Sequence, residues 1–445
     1  MTTTSPTVPV RLSAAAVIPL RTLDPAAPLD DLEWLDRAIG DARVVAIGES
    51  SHYHYEFFQL RHRLLRYLVE RHGFSAYAME SGFVEGSLVD GWVRGGDELG
   101  AVMANGMTSL MGLWTPMRSH LEWMRQHNRT TAHPVGFSGI DLPGSMVSLL
   151  PGLDAALAYL AEVDPEFKVD PLIREIAAAN AATSAFSAPI ALSAYAELPS
   201  ERRDALTAGL ADLAARLTAR RLDYLRRSSA DAYERALRSL SLTVTLDAMV
   251  RAMSRGDRHT TMLQRDAAIA DTVEWILRKH DRIVLAAHNG HILRCPGTMP
   301  GMPPLTMAGM HLADRLGEDY VAIGTTSATG PTLNTGPDFY TGKLFTESEA
   351  PQPGSLDALM AASHDGAFAT DLRRLSPEDA AAVGAVTQQR FGSYYCDLKP
   401  LDAYDVVIHI PHVTPADPDD DALAHAPKEV QEPFALWKAL RAAGD

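Results

Sequence analysis

Cysteine is nearly absent. Cys295 and Cys396 are the only two in 445 residues, which excludes a disulfide framework or a Cys-rich zinc site and fits a reducing, cytoplasmic compartment. No apolar run reaches 18 residues, so no membrane-spanning helix and no membrane partner are expected. The opening MTTTSPTVPVRLSAAAVIPL has no basic stretch leading into a long apolar core and does not read as a secretory signal. Positive charge is short as well: 40 Lys and Arg against 56 Asp and Glu leave a net charge of −16. Such a field repels phosphate backbones and no basic cluster overrides it, so nucleic acid is not expected as a partner, whereas a neutral or cationic small molecule is compatible. Also missing is the G-x-S-x-G elbow of a serine hydrolase. The nearest segments, GFSGI around Ser138 and GSMVS after Gly144, lack that pattern. Cys295 could serve as a nucleophile only with a lowered pKa.

What is present is a globular mix, 46% apolar and 22% charged, long enough for two or three domains. A Thr-, Pro- and Ala-rich stretch of about 25 residues reads as an ordered or half-ordered N-terminal arm. After it, short apolar runs alternate with helical patterns: RVVAIG (43–48), SAYAM (75–79), PVGFSGI (134–140), RIVLAA (282–287), DYVAIG (319–324) and DVVIHI (405–410). Between the first two, Phe57, Leu60, Leu64 and Leu68 recur at helical spacing, and Gly73 marks a C-cap. Strand, helix and strand with a crossover of that length make a βαβ unit and so parallel strands. Residues 151–255 differ, being Ala/Leu/Arg-rich helices with no strand-like run. The expected architecture is α/β, a mostly parallel sheet flanked by helices, with an inserted all-helical subdomain. Residues 1–145 and 256–445 form the core, and 146–255 a lid or substrate wall.

The chemistry lies where the apolar runs end. RVVAIG leads into Glu49, SAYAM into Glu80, PVGFSGI into Asp141 and RIVLAA into His288. Acidic residues and histidine make up about one residue in six, so four successive strands ending in one is not chance. Ligands of open parallel sheets bind outside the carboxyl ends of the strands, so these groups are expected to line one crevice. In Gly48-Glu49-Ser50-Ser51-His52, Gly48 permits a tight turn and Ser50 or Ser51 caps the helix that carries Arg61. In His288-Asn289-Gly290-His291, two imidazoles sit three residues apart. Three histidines beside Glu49 and Glu80 suit general acid/base chemistry and equally suit a zinc or iron site.

GESSH, EFFQLRHRLLRYLVERHGF, AMESGF, WVRGG, QRDAAIADTVEWIL and AAHNGHI occur in that order, with GMHLADRLGEDYVAIGTTSATG and LDAYDVVIHIPHVTPA beyond them. This set resembles the erythromycin esterase family, whose members include hydrolases that open macrolide lactones. The resemblance covers about 40–415. It implies an α/β core with a helical insertion and hydrolysis by an activated water, with no cofactor and no required metal. It also marks Glu49 and His52, Arg61, Glu80, Arg265 with Asp266, and His288 with His291 as site residues. Tyr53 stands where many members have glycine, which alters the pocket wall more than the chemistry.

With several bases and no good protein nucleophile, direct attack by water on a small-molecule ester or lactone is the simplest mechanism. His52 is its base, oriented by Glu49 or Glu80. Arg61 or Arg265, with Asp141 beside them, bind substrate and the developing oxyanion, or pair with the carboxylates. Arg265 and Asp266 equally read as a structural ion pair. His288 and His291 protonate the leaving alkoxide or hold the substrate. The alternatives are a metal-dependent hydrolase or metal-binding protein, a biosynthetic enzyme performing acyl transfer, elimination or cyclisation, and an inert binding protein, the last disfavoured by the complete acid/base set.

Overall fold

The computed structural model describes residues 11–96 and 98–444. The first ten residues of the N-terminal arm lie outside this range. The chain divides into two compact units, unit 1 comprising 1–77 and 279–417 and unit 2 comprising 78–278 and 418–445. The described strands, in chain order, are β1 (Ile18–Pro19), β2 (Val44–Ile47), β3 (Ala76–Gly82), β4 (Gly136–Asp141), β5 (Ile283–Ala286), β6 (Tyr320–Thr329), β7 (Pro331–Leu333), β8 (Phe345–Glu347), β9 (Phe368–Asp371), β10 (Gln388–Phe391), β11 (Tyr394–Asp397) and β12 (Val406–His412). The fold is α/β, with a mainly parallel eight-stranded sheet flanked by helices; β7–β8 and β10–β11 are separate antiparallel pairs.

In unit 1 the sheet order is β1-β9-β12-β6-β2-β5. β2 is central and parallel to both neighbours, with Val44 opposite Ile283 on one side and Tyr320 on the other. VVAI and IVLA are buried at every position, as strands covered on both faces must be, which is why they read as unbroken apolar runs. β12 is parallel to β6, with Val406 opposite Ile323, and antiparallel to β9 on its other side. All six predicted apolar runs fall on strands.

The helix after β2 is Tyr55–His72. Phe57, Leu60, Leu64 and Leu68 are buried, and Gly73 ends it in the left-handed conformation at φ 69°, its N–H reaching the Leu68 carbonyl. The N-cap differs from expectation. It is His54, with no side-chain cap bond, because the chain first turns through Tyr53 at φ 65°. Ser51 is thereby left upstream of the helix, its Oγ 3.2 Å from Thr332 Oγ1. The same helix holds the arm: buried Arg63 pairs with Asp31 at 2.6 Å and donates to the Thr22 carbonyl. Nearer the start of the chain, Ser13 donates through its N–H and its hydroxyl to the two carboxylate oxygens of Asp379.

Unit 2 contains β4, adjacent to β3 in the sheet order, and a run of helices. From Leu150 to Met253 the helices are Leu150–Val163, Pro171–Ala179, Ala188–Glu197, Ser200–Ala219, Arg221–Arg227 and Ala230–Met253. Leu206, Leu210, Leu213 and Leu217 form a buried stripe at i, i+4, i+7, i+11, the pattern of a helix with one face in a core. Asp170 and Ser229 cap their helices by accepting the N–H groups of Leu172 and Ala232. Asp164 accepts from Arg216 and from Tyr224 at 2.7 Å. Among the described residues no helix is long and apolar enough to cross a membrane.

Candidate functional site

In unit 1 the loop leaving β2 carries Glu49 and His52, and its backbone is fixed from two sides. The Gly48 N–H donates to Ile323, the Glu49 N–H to Ala287, and the Asn289 N–H to the Glu49 carbonyl. The need for glycine at 48 is one of space, not of turn geometry: a Cβ there would lie 2.0 Å from Asn289 Oδ1. That amide bridges to β6, its Nδ2 donating to the Thr325 carbonyl at 2.8 Å and its Oδ1 accepting the Thr325 N–H at 3.1 Å. Sequence reasoning passed over Asn289, although it lies inside the HNGH segment.

The Glu49 carboxylate, 1% exposed, divides its oxygens between two partners. Oε1 lies 2.5 Å from His52 Nδ1, and Oε2 accepts from Arg61 Nη1 at 2.8 Å. Of the two carboxylates that could orient His52, Glu49 is thus the one on Nδ1. A carboxylate on Nδ1 places the neutral ring's proton there and its lone pair on Nε2. The His52 side chain keeps 24% of its surface exposed, so the ring is reachable. Arg61 is 2% exposed, and its Nη2 donates to the carbonyls of Ile47 and Ala287 at the ends of β2 and β5. It neutralises Glu49 and ties the two strand ends together.

The His288 ring lies 5.2 Å from that of His52, tilted by 54°. Its Nδ1 accepts the Gly290 N–H at 3.1 Å, and its Nε2 is 3.3 Å from the Ser50 carbonyl. An accepting Nδ1 puts the neutral ring's proton on Nε2, the opposite tautomer to His52. Phe391 packs edge-on against His288, and the Gly392 N–H donates to the Ser50 carbonyl at 2.6 Å, so the β10–β11 hairpin supports the loop that carries Glu49 and His52. His291 is buried in the short helix Asn289–Ile292.

In unit 2, Glu80 in β3 and Asp141 at the end of β4 meet Arg265 from the helix Arg258–Leu277. Arg265 Nη2 donates to Glu80 Oε1 at 2.9 Å and to Asp141 Oδ2 at 2.6 Å, and its Nε lies 3.1 Å from both Asp141 oxygens. Burial works against the charged guanidinium, but the two carboxylates outweigh it and hold its pKa above the ordinary arginine value. The hydrogen bonds of Arg265 go to these two acids and not to its chain neighbour Asp266, since adjacent helix positions do not face each other.

The remaining nucleophile candidate has the wrong electrostatics. Both cysteines are free thiols, and burial pushes Cys295 up to about 11 and Cys396 up to about 12. Among the described residues no group of three or more His, Cys, Asp or Glu side chains is arranged to hold a metal ion.

Comparison with known proteins agrees with this arrangement of elements and motifs. Erythromycin esterase type II of Escherichia coli is 29% identical over 418 residues, covering 88% of this chain and 95% of that protein. Erythromycin esterase type I of Escherichia coli is 30% identical over 326 residues, covering 70% and 77%. A solved structure of a mutant of the erythromycin esterase EreC in its open conformation shares the fold, with a TM-score of 0.74 at 22% identity over 89% of this chain and 97% of that one. The erythromycin esterase family profile matches residues 69–413, and the chain belongs to the erythromycin esterase family.

Proposed function

We propose that the protein hydrolyses a small-molecule ester or lactone with water activated by His52 and without a required metal. The observation that carries this reading is the Glu49 carboxylate, bonded at once to His52 Nδ1 and to buried Arg61. Glu49 holds the Nδ1 proton, His52 Nε2 takes a proton from water, and the resulting hydroxide oxygen attacks the carbonyl carbon. Glu49 stays ionised because Arg61 is its counterion, so it orients the imidazole and stabilises the imidazolium that forms. Loss of the alkoxide from the tetrahedral intermediate needs a proton, which the imidazolium or a second histidine returns. His288 and His291 are assigned to that donation or to holding the substrate.

Arg61 is engaged through both Nη atoms and is assigned to Glu49, not to the oxyanion. Arg265, with 11% of its side chain exposed, is assigned with Asp141 to substrate and oxyanion binding, and Glu80 acts by holding Arg265. Metal independence is supported by the donors themselves, since Glu49 and His52 are bonded to each other and Glu49 to a guanidinium. The helices of 146–255 are assigned to a lid or substrate wall.

The test is a mass-spectrometric screen of macrolides and other lactones and esters. The expected product is heavier than its substrate by one water or, for an acyclic ester, is the acid and alcohol pair. Products of acyl transfer, elimination or cyclisation have other masses and would replace the hydrolase reading. Turnover is expected to survive exhaustive chelation. Loss of activity that zinc or manganese restores would replace the imidazole with a metal as the activator of water.

A further inference from the structure

Unit 2 contains a concave pocket of about 400 Å³ lined by its own residues at the carboxyl ends of β3 and β4, a volume in the range of small-molecule sites. Most of the lining is apolar, including Met107, Leu110, Leu113, Pro151 and Val430. Serine, threonine and asparagine side chains complete it, and Glu85 is its ionisable residue. Its Oε1 accepts the Gly144 N–H at 2.7 Å, while its Oε2 is buried with no hydrogen-bond partner among the described residues. Gly82 leaves the room that this oxygen occupies, for a Cβ there would lie 2.2 Å from it.

The walls beside Glu85 are held in unusual backbone. Ser109 and Leu110 have φ of 54° and 62°, and Gly144, Ser145 and Met146 follow one another at 60°, 51° and 65°. A left-handed non-glycine residue costs roughly 1–2 kcal/mol, and such strain persists where the surroundings over-determine it. Here they do: Thr108 Oγ1 accepts from Gly82 and the Thr108 N–H donates to Ser81, both at 2.8 Å, and Glu85 itself pins Gly144.

A buried carboxylate oxygen without a partner costs free energy that a donor arriving with a ligand removes. We propose that this pocket binds a small organic cation, an ammonium group on an apolar body, with the ammonium donating to Glu85 Oε2. The charge logic is local. The charged group that acts on Glu85 is the Asp141 carboxylate, itself paired with Arg265, so among the described residues no cation of the protein pairs with Glu85. Burial first, and then Asp141, raise the pKa of the Glu85 carboxyl above its ordinary value. The observations behind this site do not use the esterase reading, although Pro151 and Ala181 belong to the segment assigned there to the lid or substrate wall.

Titration calorimetry with benzylammonium between about pH 5 and 8, where an alkylammonium stays charged, tests the proposal. Affinity is expected to rise with pH as Glu85 ionises, and benzyl alcohol, which has the same shape without the charge, is expected to bind at least tenfold more weakly. Glu85→Gln should lose at least tenfold in affinity together with the pH dependence. Ala181→Leu narrows the same pocket without altering the carboxylate and should also weaken binding. A folded Glu85→Gln that keeps its affinity, benzyl alcohol binding as tightly as the ammonium, or a pH-independent affinity in the unaltered protein would each overturn it. The last two readouts hold even if Glu85→Gln fails to fold.

Discussion

The two oxygens of Glu49 face different partners, and substitutions around it therefore separate chemistry from stability. Glu49→Gln retains the shape but leaves the Arg61 cation buried among carbonyls, and breaking a buried pair in this way costs roughly 3–5 kcal/mol. The expected variant melts well below the unaltered protein and turns over slowly, yet loses less rate than a variant without the imidazole. An unchanged melting temperature would contradict the Arg61 assignment. Gly48→Ala places a methyl group 2.0 Å from Asn289 Oδ1, so the amide must leave Thr325. The expected loss is about 2 kcal/mol or more in stability with a fall in turnover, read by denaturant melts beside activity; wild-type values for both would show that the loop yields freely.

At the scale of elements, what the sequence made legible followed burial. β2 and β5 are buried on both faces and so appear as unbroken apolar runs, and the helix Tyr55–His72 announced itself by its Phe57–Leu68 spacing and by Gly73. The pieces that went unread are short and half polar: β9 reads FATD, β1 is two residues long, and the hairpins carry QQRF and YYCD. Their pairing is set by distant partners, with no period of their own to detect. The acid and histidine positions at strand ends were legible for the same reason the strands were. Which carboxylate met which cation was not, because Arg61 and Arg265 arrive from helices 12 and 124 residues away from Glu49 and Asp141. Asn289 was hidden because its partners are main-chain groups. Gly73 offers a clean element-scale prediction. A Cβ there meets nothing within 4 Å, so Gly73→Ala isolates the cost of φ 69°, expected at roughly 1–2 kcal/mol with turnover unchanged; a neutral melt would mean that the helix end shifts register.

For the molecule as a whole, stability is expected to carry the signature of buried acids, and Asp357 is the one whose share can be sized. Asp357 is fully buried, accepts the Arg390 N–H at 2.8 Å, and is pushed by burial up to about 6. Its folded-state pKa lies above the unfolded value near 4, so the folded state binds this proton more tightly. The resulting stabilisation is complete below about pH 4 and is lost as pH rises through about 6, amounting to roughly 3 kcal/mol at 1.36 kcal/mol per unit. Asp357→Asn should remove that slope from the stability curve between about pH 4 and 7; an identical slope in the variant would assign it to other groups.

The central claim is that His52, held by Glu49, is the base that activates water. The direct measurement is the turnover of His52→Gln on an ester or lactone substrate, taken beside its melting curve. Glutamine keeps much of the size and a hydrogen bond to Glu49 but cannot accept a proton near neutral pH. The account predicts a loss of about a thousandfold, close to 4 kcal/mol in the barrier, with a stability change of about 1 kcal/mol or less. A folded variant that keeps more than about a tenth of the rate, less than 1.4 kcal/mol in the barrier, would contradict it and pass the role to His288.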